Sequence, residues 1–285
     1  MSTATVDEVQ SGTRADSADL VRPTAVVRGS QPAWLDLLIR ACVPAALVAL
    51  WAVASARGWL AAETFPSPAG VWDALIRLGG DGTLWENASV SLRRVVVGFA
   101  IGGVLGLGLG VAAGLFRLGD QLLDPTVQML RTIPFLAIAP LLILWFGIDE
   151  KPKIVIIAAA AAFPLYVNAH SGVRNVDRKV VEAARTFGLR GFALIRQVVI
   201  PEALPSILVG LRLSLAISLI ALIVAEQSNA PKGIGFLMTS AQQFFQTDVL
   251  VLCILVYALW GLLVDLLVRT LERVLMPYRK AVRAS

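Results

Sequence analysis

Few side chains in this sequence have the type and spacing needed to carry out a reaction. Two histidines one helical turn apart would hold a catalytic metal, but His170 is the sole histidine. A zinc-hydrolase helix and most imidazole metal sites are therefore excluded. Cys42 and Cys253 are the only cysteines, and each lies inside an apolar block, where a disulfide framework or structural zinc is out of place. Ser214 and Ser218 share a helix face. No second histidine or paired mid-membrane carboxylate accompanies them, so they lack the base a buried nucleophile requires. A phosphate-cradling loop ends in Gly-Lys-Ser/Thr, and the chain has no Gly-Lys pair, so ATP hydrolysis by that route is not expected. No catalytic residue and no metal site is assigned, and energy for any work must come from a partner or an ion gradient.

What remains are charges in or beside apolar stretches, where an ionisable group is a functional hypothesis by default. Asp265 and Glu272 lie four and three residues from Arg269, spacings that read as a self-satisfied helix face. Glu226 stands at one end of an apolar stretch, where it would gate a path or shape a ligand mouth, although a lone carboxylate repels an anion. Arg93 and Arg94 flank another stretch and would either steer an anion or anchor the helix at the interface. His170 reads as packed or interfacial, and a single histidine gives no pH sensor.

The elements that position these residues follow from composition. The chain has 285 residues, 57% hydrophobic and 16% charged, with a mean hydropathy of +0.74. Soluble domains carry about a quarter charged residues, so an ordinary cytosolic enzyme is excluded. Uncharged stretches at 41–56, 95–116, 132–148, 154–173, 213–225 and 249–264 give six candidate spans. About 20 apolar residues cross a bilayer. The second and fourth suffice alone, the fifth extends back through Arg212 to Ala203, and the sixth continues past Asp265 to Val268. The expected fold is all-α and polytopic, with about six transmembrane helices. Residues 1–33, rich in Ser, Thr, Ala and mixed charge, read as a flexible cytoplasmic tail rather than an export signal. Residues 34–276 form the membrane domain, with a cytoplasmic loop at about 174–206, and 277–285 form a second cytoplasmic tail.

Basic residues resist translocation and collect on the cytoplasmic side. With both termini inside, 18 of the 25 Lys and Arg fall inside and 7 outside. The net charge of +5 is thus a topology signal, and no nucleic-acid module accompanies it.

Gly98, Gly102, Gly106, Gly110 and Gly114 recur at every fourth position of the second stretch. They make a smooth strip that serves either close packing with another helix or sliding. Pro134 and Pro140 in the third stretch each remove a backbone donor. The helix is expected to bend or break there and to line a path, because broken helices at membrane depth occur where they line protein or water. Between the fourth and fifth stretches, residues 181–196 read as helix, glycine, helix. Glu182-Ala183-Ala184 favour helix, Gly188 permits a change of direction and a second amphipathic piece begins at Gly191, with Pro201 and Pro205 beyond it. Such a projecting pair fits a groove on a soluble partner. Glu182 would pair with Arg185 or with a partner's basic group.

Glu182-Ala183-Ala184, three residues, Gly188, nine residues, then Val198-Val199-Ile200-Pro201 resembles the EAA loop of permease subunits of ATP-binding-cassette importers. That family's pattern is E-A-A, three, G, nine, I-x-L-P, with Val198 here in place of Ile and Ile200 in place of Leu. The resemblance runs from about Phe65 to Leu275, including the runs at 130–134, 144–150, 225–226, 233–235 and 246–249. It is strongest to the branch that imports aliphatic sulfonates, taurine or nitrate, and within it to alkanesulfonate permeases. The resemblance implies a type I importer in a prokaryotic plasma membrane. Two permease copies would work with two cytoplasmic ATPase subunits that bind ATP and Mg, and an external binding protein would deliver a small anion, aliphatic sulfonates first, with taurine, nitrate or bicarbonate, or a pyrimidine precursor as alternatives. Glu182, Ala183, Ala184, Gly188, Val198, Ile200 and Pro201 would be the ATPase-coupling positions. A gradient-driven secondary transporter would instead need inverted repeats and mid-span acids, and neither is evident.

Overall fold

A computed structural model describes residues 33–61 and 65–276. The expected tails at 1–33 and 277–285 lie outside the described residues, except for Ala33, which opens a helix. The chain divides after Leu50 into two units. The described part of the first belongs to α1 (Ala33–Ala56), which carries Pro44 within it.

The described elements of the second unit are all helical, as lipid requires, because every backbone N–H and C=O must find an internal partner there. They are α2 (Pro68–Gly80), α3 (Thr83–Leu115), α4 (Arg117–Leu130), α5 (Phe135–Phe146), α6 (Glu150–Arg174), α7 (Arg178–Thr186), α8 (Gly191–Leu194), a π-turn (Ile195–Val199), α9 (Ile200–Asn229), α10 (Ile234–Gln243) and α11 (Thr247–Leu275). Local chemistry sets several starts. Ser67 caps α2 by accepting from the Gly70 N–H at 3.1 Å, with Pro68 in the first turn, where its missing donor costs nothing. Asp177 caps α7 through the Lys179 N–H at 2.9 Å.

Among the described residues, four helical segments are long and apolar enough to cross a membrane: Thr83–Leu115, Glu150–Arg174, Gly191–Ser228 and Thr247–Leu275. The other two expected spans contain shorter apolar helices, Cys42–Ala56 and Ala137–Phe146. Pro134 accounts for the second of these. It disfavours helix at the residue before it and cannot donate, so α4 stops at Leu130 and α5 begins after Pro134. Pro140 breaks nothing and sits within α5. Pro201 and Pro205 likewise lie inside one continuous rod, since Gly191–Ser228 runs through the π-turn without interruption.

The core forms where α6 packs against α3 and α9, and Ile156, Ile157, Ala160, Ala221 and Leu222 are buried there. The glycine strip serves close packing. A Cβ added at Gly102 would fall 2.0 Å from the Ala158 carbonyl oxygen, one at Gly106 2.3 Å from that of Ala162, and one at Gly98 2.7 Å from Ile157. The alanine run of α6 thus meets the glycine face of α3 backbone to backbone, the contact that drives helix association where lipid provides no hydrophobic force. Gly172 and Gly210 play the same part between α6 and α9, against Ser206 and Asn168. Ser206 donates to the Asn168 carbonyl at 2.8 Å and Ser214 to that of Ala161 at 2.5 Å. Ser214 and Ser218 are therefore buried interhelical and intrahelical donors rather than nucleophiles.

Among the described residues, Phe245 is the one non-glycine residue with positive φ. α10 ends in a turn where the Gln246 N–H reaches the Ala241 carbonyl at 2.8 Å and the Phe245 N–H reaches that of Gln242 at 3.3 Å. Phe245 holds the left-handed position of this turn, φ +54°, that glycine normally fills. Its side chain is 86% exposed. Phe245→Gly is expected to raise thermal stability by about 1 kcal/mol, read as a higher melting temperature in detergent.

Candidate functional site

A buried ion network ties the start of α6, the end of α9 and the start of α10 to α3. Glu226, on α9, is 1% exposed, and Arg94, on α3, is 2% exposed. Arg94 Nη1 donates to Glu226 Oε1 at 2.7 Å and to the Lys232 carbonyl at 2.6 Å. Its Nε and Nη2 grip both oxygens of Glu150 at 2.7 and 2.6 Å, the two-pronged geometry that guanidinium suits. Glu226 also accepts from Ser91 Oγ at 2.6 Å and from the Gly235 N–H at 2.8 Å. Ser91 in turn accepts from the Ile234 N–H at 2.8 Å, and Asn87 accepts from the Gly233 N–H at 2.7 Å. The first amides of α10 thereby point at a carboxylate and a hydroxyl, the groups a helix N-terminus favours. The close fit explains Gly233-Ile234-Gly235. A Cβ at Gly233, where φ is +133°, would lie 2.4 Å from Glu226 Oε1, and one at Gly235 2.7 Å from Glu226 Cβ.

Two sequence expectations change. Arg94 does not flank a helix as an exposed charge, because α3 begins at Thr83 and Arg94 lies buried within it, paired on two sides. Glu226 is not a lone carboxylate, since Arg94, Ser91 and the Gly235 N–H enclose it. Arg93 is exposed. Asn87, Ser91 and Glu150 were not singled out from the sequence. The signal was present, because positions 87, 91, 94 and 98 continue the glycine strip on one helical face.

At the other end of α6, His170 Nε2 lies 2.9 Å from Asp120 Oδ1 on α4 and stacks on Tyr166 with ring centroids 5.9 Å apart. Arg174 also pairs with Asp120. Arg174 first, and then His170, hold the Asp120 carboxyl below the usual carboxylate range. His170 is packed, and its acidic partner was invisible in the sequence. Asp265 pairs with Arg269 at 2.5 Å as the spacing suggested, whereas Glu272 turns to Arg212 on α9 at 3.1 Å.

The loop between α6 and α9 folds as helix, turn, helix. α7 closes with the Leu189 N–H on the Ala184 carbonyl at 3.1 Å and the Gly188 N–H on that of Arg185 at 3.0 Å. Gly188 has φ +87° with nothing near a Cβ. Its requirement is conformational, the left-handed residue that ends a helix in this turn. Ala184 is buried at 9%, while Glu182 and Ala183 are exposed, and Glu182 makes no ion pair among the described residues. Phe187 and Phe192, on either side of the turn, are 88% and 75% exposed. Val198, Ile200 and Pro201 are half-buried, within the π-turn and the first turn of α9. Pro134 and Pro140 are both exposed.

Four long apolar segments among the described residues and a glycine-packed core define a polytopic membrane protein. The family of binding-protein-dependent transport system inner membrane components matches residues 103–276, and the chain belongs to it. It is the multi-pass inner-membrane permease of a binding-protein-dependent ATP-binding-cassette importer, and ATP is bound by a partner ATPase. Among relatives, the aliphatic sulfonates transport permease protein SsuC of Escherichia coli (strain K12) is 47% identical over 248 residues, spanning 87% of this chain and 94% of that one. The taurine transport system permease protein TauC of the same organism is 33% identical, over 84% of this chain and 89% of its own length. A chain of the inward-facing MetNI methionine transporter superposes with a TM-score of 0.57 at 20% identity, over 65% of this chain and 92% of that one. This likeness is one of fold.

Proposed function

We propose that this permease forms the path for aliphatic sulfonates, working as two copies with a pair of ATPase subunits and an external binding protein, with both chain termini in the cytoplasm. The 47% identity to the sulfonate permease carries the substrate reading. Taurine also bears a sulfonate group, and the 33% identical taurine permease keeps it as the second candidate. Glu182, Ala183, Ala184, Gly188, Val198, Ile200 and Pro201 form the coupling segment. The ordered turn at Gly188 and the exposed Phe187 and Phe192 support this, because apolar anchors beside small residues are what a groove on a partner accepts. Pro134 and Pro140 line the path along α5.

ATP hydrolysis in lipid vesicles holding the permease, its ATPase and a sulfonate-binding protein tests the reading. Stimulation that needs all three proteins and an alkanesulfonate is the expected result. Stimulation by taurine alone moves the substrate to the second candidate, and an ATPase that never associates overturns the coupling assignment. Gly188→Asp is expected to insert normally but to lose ligand-stimulated hydrolysis, since it strains the left-handed position and puts a charge on the docking face. Normal stimulation in that variant would remove Gly188 from the coupling segment.

A further inference from the structure

The network holds two cations and two carboxylates, and Lys153 is the more loosely paired of the cations. Lys153, in the first turn of α6, is 4% exposed. Its ammonium donates to the Asp149 carbonyl at 2.8 Å, its one hydrogen bond among the described residues. The nearest paired carboxylate oxygen, Glu150 Oε1, is 3.9 Å away and is already held by Arg94 at 2.6 Å. An ammonium has three donors, so two make no hydrogen bond to the described residues. A fold gains no stability from that arrangement, and an apolar side chain of similar length would cost less there.

The space beside Lys153 suggests a use. The residue lines a cavity of about 10 Å³, shared with Ala139 and Ile143 of α5, Gly147 in the connecting turn, and Ala225 and Ser228 of α9. That is room for about one water. The walls come from three separate helices, one of them α5, which starts after Pro134. Asp149, on the exposed rim, precedes α6 without forming a side-chain cap, so the first amides of α6 add positive potential to that of the ammonium. Glu226, the buried acid nearby, is neutralised by Arg94. A sulfonate is a permanent anion whose oxygens only accept hydrogen bonds, so it takes free donors such as those of the ammonium.

We propose that Lys153 is an anion-contact residue of the translocation path, its ammonium taking the sulfonate oxygens as α5 withdraws from α6 and α9. This rests on the anionic-substrate reading above. The test is uptake of ethanesulfonate by the full importer in vesicles, together with the melting temperature of the assembled complex. Lys153→Met is expected to lower uptake roughly tenfold or more, the loss of a charge-assisted hydrogen bond, while the melting temperature stays level or rises. Lys153→Arg is expected to keep most of the uptake. Parent-level uptake by Lys153→Met overturns the proposal, as does a fall in melting temperature in Lys153→Met and Lys153→Gln alike that accounts for their lost uptake, because Lys153 would then serve the fold. A parent importer that moves no ethanesulfonate fails at the substrate reading instead, and takes the proposal with it.

Discussion

Gly102→Ala is expected to leave little folded permease to purify, whereas Gly108→Ala, six residues along the same helix, is expected to be harmless. A Cβ at Gly102 would stand 2.0 Å from the Ala158 carbonyl oxygen and 2.8 Å from Ala158 Cα. Both are backbone atoms, so no rotamer change relieves the clash. The α3–α6 pair must separate, and the neighbouring contacts at Gly98 and Gly106 open with it. Overpacking a fitted core costs about 1–3 kcal/mol and sometimes more, and a backbone clash belongs at or beyond the upper end. Gly108 is exposed, with nothing within 4 Å of a Cβ, so alanine there gains helix propensity, up to about 1 kcal/mol. Melting of the two variants in detergent reads the difference directly. Equal melting temperatures would mean that α3 and α6 do not pack at this distance.

Arg94→Met is expected to be nearly as severe, and for an electrostatic reason. It leaves Glu226 with a buried carboxylate and no cation, and removing one partner of such a pair costs about 3–5 kcal/mol. Glu150 suffers less, because its side chain is 34% exposed and water replaces the lost donor. The double variant Arg94→Met/Glu226→Gln should recover a large part of the loss. The amide keeps an acceptor for Ser91 and the Gly235 N–H without a buried charge. A double-mutant cycle on folded yield or melting temperature gives the coupling between the two positions. Additive losses would mean that Arg94 and Glu226 act independently, contrary to their 2.7 Å contact.

These two sites show why some of the molecule was readable in its sequence and some was not. The glycine strip was legible as a strip, because four-residue spacing on a helix makes a face. Its counterpart was not, because the partner helix could equally have been any other span. The turn at Gly188 was legible because a helix C-terminus is a local event, governed by one residue's freedom to take positive φ. Arg94 was misread for the opposite reason. A scan for uncharged stretches stops at any arginine, and only a partner 132 residues away lets this one continue inside the helix. Prolines showed the same limit. Pro134 breaks its helix and Pro140 does not, although their local chemistry is alike, because the surrounding structure decides which missing donor is tolerated.

By itself, the sequence determined that the chain lies in a membrane, that it is helical, that it has no Gly-Lys-Ser/Thr loop for ATP, and that a turn falls at Gly188 between two apolar stretches. Those properties depend on hydropathy, backbone freedom and residue type, each expressed over a few turns of chain. Only the tertiary structure decided which helix meets the glycine face, that Glu226 is enclosed by Arg94, Ser91 and the start of α10, and that Lys153 is left with uncommitted donors beside a cavity. Burial and pairing depend on residues far apart in the chain, and the free energy of a charge in a membrane protein depends on its partner more than on its own position.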